Sequence, residues 1–369
     1  MQIHRTLPGR AVWPFLLLVI AGCDAGPVEA PSDNDALAAQ VEALSPASQV
    51  ADAYAEAALP PSIVVRDAAG LPLTSVSVRF TSVGAAGDSL TQVRRTDGDG
   101  RATMPSWRLS IPSMYRTVVR AGNTAGLTFT ALAVPQFLRD SSMRQRCPLS
   151  DSLRVPFAHL DSTLARLRSG RPLTIVAYGS SSTAGEGASR PGLGYVEQTA
   201  AQLRRAFPDA SITMVNAGLT GAKAPDMDAR LESAVLSHAP QLVLLQSATI
   251  EAIRGMPIDS LRLPLRRMLT RLRGRGIDVI LLDSQRYRGF GGGSVYREFQ
   301  SVLRAEGADV GVSTARRFLW YDEMLDRQVY TYDQLLSSDY LHPTDLGHEC
   351  TATLVSTGIV GAMLGTAAP

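Results

Sequence analysis

The chain predicts an α/β fold: a doubly wound, three-layer α/β/α domain on a parallel sheet, preceded by a small all-β sandwich. Three observations carry this. From residue 171 onward, short apolar runs alternate with stretches of helical periodicity, the pattern of βα units whose strands are buried on both faces. Between residues 61 and 135, apolar and polar residues alternate with period two in short runs broken by turn residues. Gly179-Ser180-Ser181-Ser182-Thr183 directly follows the first apolar run of the later region, where a doubly wound sheet places its ligand crevice.

With 369 residues, 45% of them apolar and 19% charged, the chain belongs to the globular class, with room for two domains and a leader. A formal charge of +2 gives no electrostatic case for binding nucleic acid, and nearly all the basic residues are arginine, Lys223 being the one lysine.

Residues 1–23 read as a signal peptide, because His4, Arg5 and Arg10 precede an apolar stretch, Ala11 to Ile20, too short to span a bilayer. The phrase Ile20-Ala21-Gly22-Cys23 resembles the lipobox of bacterial lipoproteins. That resemblance implies acylation of Cys23 and a lipid anchor holding the protein in the cell envelope, facing the periplasm or the exterior. Asp24 resembles an inner-membrane retention signal. Residues 24–60, rich in Ala, Pro, Ser and acidic residues with a weakly helical patch near Asp35 to Leu44, read as a flexible tether. Removing Cys23 from the count leaves Cys147 and Cys350, either a disulfide or two buried thiols.

In residues 61–135 the strand candidates are Ile63 to Val65, Val76 to Phe80, Thr91 to Thr96, Tyr115 to Ala121 and Leu127 to Ala133. Asp97-Gly98-Asp99-Gly100 reads as a hairpin turn, since the other ligands of a calcium loop are missing. The stretch resembles bacterial Ig-like domains through Val65 to Pro72 and Thr96 to Ala102. Residues 136–170, with Pro148 and Pro156, form a connector. In residues 171–369 the strand candidates are Leu173 to Tyr178, Ile212 to Val215, Leu242 to Gln246, Ile277 to Leu282 and Ala308 to Val312. Helices are expected around Tyr195 to Phe207, Asp226 to His238, Leu261 to Arg273, Val295 to Ala305 and Leu346 to Met363.

Asp339-Tyr340-Leu341-His342 is the second half of the chemistry. An Asp three residues before a His lets both side chains leave one turn together, so that the carboxylate holds one ring nitrogen while the other faces a serine hydroxyl. With Ser181 as nucleophile, His342 as base and Asp339 as its orienting carboxylate, the apparatus is a hydrolase's. Asp345, His348 and Glu349 fall within one helical turn, but no second cluster completes a metal site, and neither metal nor organic cofactor is expected. His238 reads as a helix-end residue, His159 as a surface or satisfied one. Tyr287, Arg288 and the run Gly289 to Gly293 read as a loop beside the crevice or in plain solvent.

Leu173 to Met363 resembles the SGNH, or GDSL-like, hydrolases, which implies a flavodoxin-like esterase domain. Ser181 takes the family nucleophile's place, with Ser180 where the family has Asp. Asn216-Ala217-Gly218-Leu219-Thr220-Gly221 fits the second motif and implies Gly221 as an oxyanion-hole donor beside the Ser181 N–H. The third motif departs: Ser247-Ala248-Thr249-Ile250 lacks the family asparagine, leaving Thr249, Gln246 or another polar residue to replace that donor. The fourth motif is intact in Asp339 and His342. The resemblance implies a serine esterase for small esters or acylated saccharides, O-acetyl groups among them. An acyltransferase on the same triad, or a catalytically decayed surface binding protein, are the alternatives. The chain does not indicate an oligomeric state.

Overall fold

The computed structural model describes residues 32–84, 87, 89–289 and 293–366. The expected signal peptide, Cys23 and Asp24 lie outside the described residues, as do positions 290–292 of the glycine run.

The N-terminal part is all-β, with strands β1 (Gln40–Ala43), β2 (Ser48–Asp52), β3 (Ala55–Glu56), β4 (Ser62–Arg66), β5 (Ser77–Val83), β6 (Ser89–Arg95), β7 (Arg101–Thr103), β8 (Arg108–Leu109), β9 (Ser113–Ala121) and β10 (Leu127–Val134). One sheet runs β2-β10-β9-β5-β6, a second β1-β4-β7, and β3 pairs with β8. The period-two pattern has its expected consequence: Val78 and Phe80 of β5 are buried while Arg79 and Val83 are exposed. With Ile63, Val65, Trp107 and Phe129 they form one apolar cluster. Asp97 forms a tight turn, its carboxylate accepting from the N–H groups of Asp99 at 3.0 Å and Arg101 at 2.9 Å, but the turn joins β6 of one sheet to β7 of the other rather than closing the expected hairpin.

The tether expectation needs correction. Strands β1, β2 and β3 fall inside residues 24–60, and the segment near Asp35 to Leu44 holds a short 3-10 turn, Asp33–Asp35, and then β1 instead of a helix. These strands exist through their partners: β1 pairs antiparallel with β4, and β2 runs parallel to β10. Asp35, which composition assigns to a solvated tether, accepts from the Ser77 N–H at 2.6 Å. A strand on an existing edge satisfies its backbone there and needs no apolar run of its own.

The C-terminal part contains α1 (Gln136–Arg139), α2 (Ser141–Arg146), α3 (Asp161–Ser169), β11 (Leu173–Tyr178), α4 (Ser181–Ala184), α5 (Tyr195–Ala206), β12 (Ile212–Asn216), α6 (Ala224–Ala234), β13 (Leu242–Gln246), α7 (Thr249–Ile253), α8 (Asp259–Arg273), β14 (Asp278–Leu282), α9 (Ser294–Asp309), β15 (Ser313–Ala315), α10 (Arg317–Asp326), α11 (Tyr332–Leu335) and α12 (Asp345–Leu364). The sheet order is β12-β11-β13-β14-β15 with every pairing parallel. Alternate residues of β11 feed two cores: Leu173, Ile175 and Ala177 meet α3, α5 and α12, whereas Val176 and Tyr178 meet α6, α8 and α9. That is the three-layer arrangement. Strand order reverses between β11 and β13, so the crevice opens at the carboxyl end of β11, immediately before Ser181.

A further expectation differs from the structure. Ala308 to Val312 is not the fifth strand; α9 continues to Asp309, Gly311 in the left-handed region (φ 69°) turns the chain, and Ser313–Ala315 pairs with β14. Val312 is apolar because it packs beneath α9, which a short run cannot distinguish from a strand. Within the connector, α3 packs Leu164 and Leu167 onto the sheet. Cys147 and Cys350 are joined in a disulfide across 203 residues of sequence, tying the segment after α2 to α12. Although α12 is buried along nearly its whole length, no described helix is long and apolar enough to cross a membrane.

Candidate active site

Ser181 opens α4, directly after the β11 strand end, with Ser180 as the preceding cap residue. The turn is held by Gln246 at the end of β13. Its Oε1 accepts from the Ser180 N–H at 3.0 Å, the Ser180 hydroxyl at 3.1 Å and the Thr183 hydroxyl at 3.2 Å. Ser180, standing where the resemblance has Asp, is therefore a structural partner of Gln246.

The structure brings Ser181, His342 and Asp339 together. His342 Nε2 lies 2.8 Å from Ser181 Oγ, and His342 Nδ1 lies 2.5 Å from Asp339 Oδ2. Ser181 is 5% exposed, and the His342 side chain 13%, so the pair is largely shielded but reachable. The other carboxylate oxygen of Asp339 accepts from Ser337 Oγ at 2.7 Å and from the N–H groups of Leu341 at 2.9 Å and His342 at 3.0 Å. Burial pushes the Asp339 carboxyl upward, but the donors on His342, Leu341 and Ser337 outweigh it and hold the group well below the usual carboxylate range. An aspartate that stays ionised keeps the proton on Nδ1 and leaves Nε2 free to take the serine proton.

Two linkages hold His342 in place and were not visible in the sequence. Gln285, fully buried after β14, accepts from Ser182 Oγ at 3.2 Å and donates to the Leu341 carbonyl at 2.8 Å. It thus joins the nucleophile's helix to the residue before His342. Gly187 lies against the other side of the base: its φ is 90°, and an added Cβ would collide with the Pro343 carbonyl and His342.

Neither the Ser181 N–H nor the Gly221 N–H has a protein acceptor among the described residues. Gly221 has φ 74° with open space where a side chain would be. Gly218 in the same loop packs so closely on the Thr183–Ala184 backbone that no Cβ fits.

The proposed replacements for the missing asparagine require correction. Thr249 is 3% exposed; its hydroxyl accepts from Gln246 Nε2 at 3.1 Å and lies 2.7 Å from Ser284 Oγ. Gln246 is committed to Ser180 and Thr183. Both side chains therefore belong to the buried network under the turn. Ala248 adopts a left-handed φ of 80°, which turns the chain after β13 and directs Thr249 inward.

His348 is buried and belongs to no metal cluster; among the described residues no group of three metal-ligating side chains exists. Its Nδ1 accepts from the Tyr195 N–H at 3.1 Å, and its Nε2 faces the Glu186 carbonyl at 3.0 Å. Burial lowers its pKa to about 4, so the ring is neutral and Nε2 carries the donated proton. Glu186 brings a second carboxylate to His342, with Oε2 3.5 Å from His342 Nε2, and no sequence signal marked it. His238 ends a 3-10 turn, and His159 sits in a loop with φ 57°.

No curated protein matches the chain significantly. Among solved structures, a two-domain esterase (CEX) active on acetylated mannans is similar at 21% identity and a TM-score of 0.47, covering 56% of this chain and 53% of its own, so the likeness spans about half of that protein. LAE5, an alpha/beta hydrolase enzyme from the metagenome of Lake Arreo, Spain, is similar at 22% identity and a TM-score of 0.45, covering 51% and 96%. A catalytic mutant of Axe2, an acetylxylan esterase from Geobacillus stearothermophilus, is similar at 20% identity and 0.44, covering 50% and 94%. The profile of the non-GDSL lipase-like family matches residues 146–364, well over half of the chain and every residue of the site just described. The chain belongs to the non-GDSL lipase-like family.

Proposed function

We propose that this protein is an extracytoplasmic serine esterase that removes small acyl groups, acetyl foremost, from saccharides. Ester hydrolysis is the reaction class of a lipase-like family member with a serine placed for attack. The observation that carries the catalytic assignment is the unbroken relay from Asp339 through His342 to Ser181, at 2.5 Å and 2.8 Å.

In this mechanism His342 Nε2 takes the Ser181 proton as Oγ attacks the ester carbonyl, and Asp339 stabilises the imidazolium. The Ser181 and Gly221 N–H groups receive the developing oxyanion, aided by the helix-start position of Ser181. Collapse breaks the C–O bond, His342 protonates the leaving alkoxide, and water then repeats the sequence on the acyl-enzyme. Support for a polyhydroxylated alcohol comes from the polar groups beside the relay: Glu186 next to His342, the Thr220 hydroxyl on Glu186, and Ser337 on Asp339. Cys23 as a lipid anchor, with the β-sandwich as an Ig-like spacer, completes the proposal.

The test is labelling by a serine-reactive fluorophosphonate, together with acetate release from an acetylated oligosaccharide, for wild type and Ser181→Ala. Labelling and release confined to wild type support the reading. No labelling and no turnover of an activated acetyl ester would overturn it in favour of a non-catalytic binding protein.

A further inference from the structure

We infer that Glu186 reads the alcohol side of the substrate, accepting a hydrogen bond from a hydroxyl next to the scissile ester and so selecting monoesters of vicinal diols. The inference rests on the esterase reading and deepens it.

Glu186 is held by its backbone on both sides. Its N–H donates to the Ser181 carbonyl at 3.0 Å, and its carbonyl accepts from His348 Nε2 at 3.0 Å. His348 is itself fixed by the Tyr195 N–H, so the residue following the nucleophile's helix cannot drift from the base. One carboxylate oxygen takes the Thr220 hydroxyl, on the loop that carries Gly221. The other, Oε2, stands 3.5 Å from His342 Nε2 on a side chain 39% open to solvent. Neither the relay nor the oxyanion site uses this oxygen.

Nε2 marks where the leaving oxygen must be, because the proton passes from that nitrogen to the departing alkoxide as the acyl group stays on Ser181 Oγ. In a vicinal diol the neighbouring hydroxyl oxygen lies about 2.8 Å away, one hydrogen bond's length. Two adjacent oxygens thus match a donor nitrogen and an acceptor carboxylate separated by 3.5 Å. The hydroxyl donates to Oε2 while the leaving oxygen receives the proton from Nε2, and Glu186 itself exchanges no proton. An aryl or simple alkyl ester fills only the Nε2 position. A sugar carrying a carboxylate or phosphate beside the ester would meet like charge.

The test compares a sugar ring acetylated beside a free hydroxyl with the same acetate on the matching deoxy ring, for wild type and Glu186→Ala, with an activated aryl acetate as a third substrate. Wild type should favour the hydroxyl-bearing ester in kcat/KM by roughly ten- to a hundredfold, the worth of one hydrogen bond to a charged group. Glu186→Ala should bring that ratio close to one while losing a smaller factor on the aryl ester. Absence of discrimination in wild type, or an equal loss on all three esters in the variant, overturns the inference and leaves the esterase standing. Wild type inactive on all three overturns both. Should Glu186→Ala fail to fold, Glu186→Gln keeps an acceptor without the charge; a severalfold fall in the ratio supports the inference, and an unchanged ratio overturns it.

Discussion

His342 Nε2 and Ser181 Oγ meet at 2.8 Å although 161 residues separate them, one on the turn before α12 and the other at the start of α4. Each member of that contact makes a distinct prediction. Ser181→Ala and His342→Ala should each lower kcat by about 10⁴-fold or more, and the double variant should lose little beyond either single one, because the two act as a unit. Asp339→Asn should cost roughly 10³- to 10⁴-fold while leaving the fold intact, since the amide favours the wrong imidazole tautomer. Steady-state kinetics on an activated acetate measures all four.

Gln285 is a positioning residue, acting on the base through the Leu341 carbonyl and on the nucleophile's helix through Ser182. Gln285→Leu should reduce kcat roughly tenfold or more with KM little changed, as misplacement of a base affects the transition state more than binding. It should also lower stability by about 1–3 kcal/mol through the polar partners left unpaired. A loss confined to KM would contradict the assignment.

Thr249→Asn restores the residue type of the family's third motif but should not raise the rate, because that side chain faces Gln246 and Ser284 inside the protein. The larger amide should instead destabilise the fold by about 1–3 kcal/mol, the range for overpacking a filled core. Paired denaturation and kinetic measurements decide it. A faster, equally stable variant would mean the loop turns outward.

His348 sets a pH dependence whose sign follows from its lowered pKa. The unfolded ring titrates near 6.5 and the folded ring near 4, so as pH falls the unfolded chain takes up the proton first. The stability contributed by the neutral ring is present above pH 6.5 and lost as pH falls from there towards 4, about 3 kcal/mol in all. Asp283 opposes it: burial raises that carboxyl to about 6, so its contribution is lost as pH rises through 6. Comparison with His348→Gln isolates the first effect. The stability advantage of wild type, measured by denaturant unfolding, should shrink by a few kcal/mol between pH 7 and pH 4.

Much was legible in the chain by itself. Strands β11, β13 and β14 are short apolar runs because both of their faces are buried, and that burial writes itself into local composition, whereas β12 lies at the sheet edge with only Ile212 buried. Ser181, Asp339 and His342, which the structure brings into contact, stood out because an Asp three residues before a His and a serine just after a strand are local patterns. Other features left no local trace. Strands β1 to β3 are stabilised by the edges they join, not by their own residues, and the fifth strand was misplaced because Val310 and Val312 pack beneath α9.

Amino-acid order alone therefore determined the layered architecture and singled out Ser181, Asp339 and His342 as candidates, since period and spacing are properties of short segments. Tertiary structure alone decided that Cys147 meets Cys350, that Gln285 fastens the base, that Thr249 turns inward and that Glu186 stands beside His342. Those relations are distances between segments far apart in the chain, and a polar side chain shows what it does only when its partners are in place.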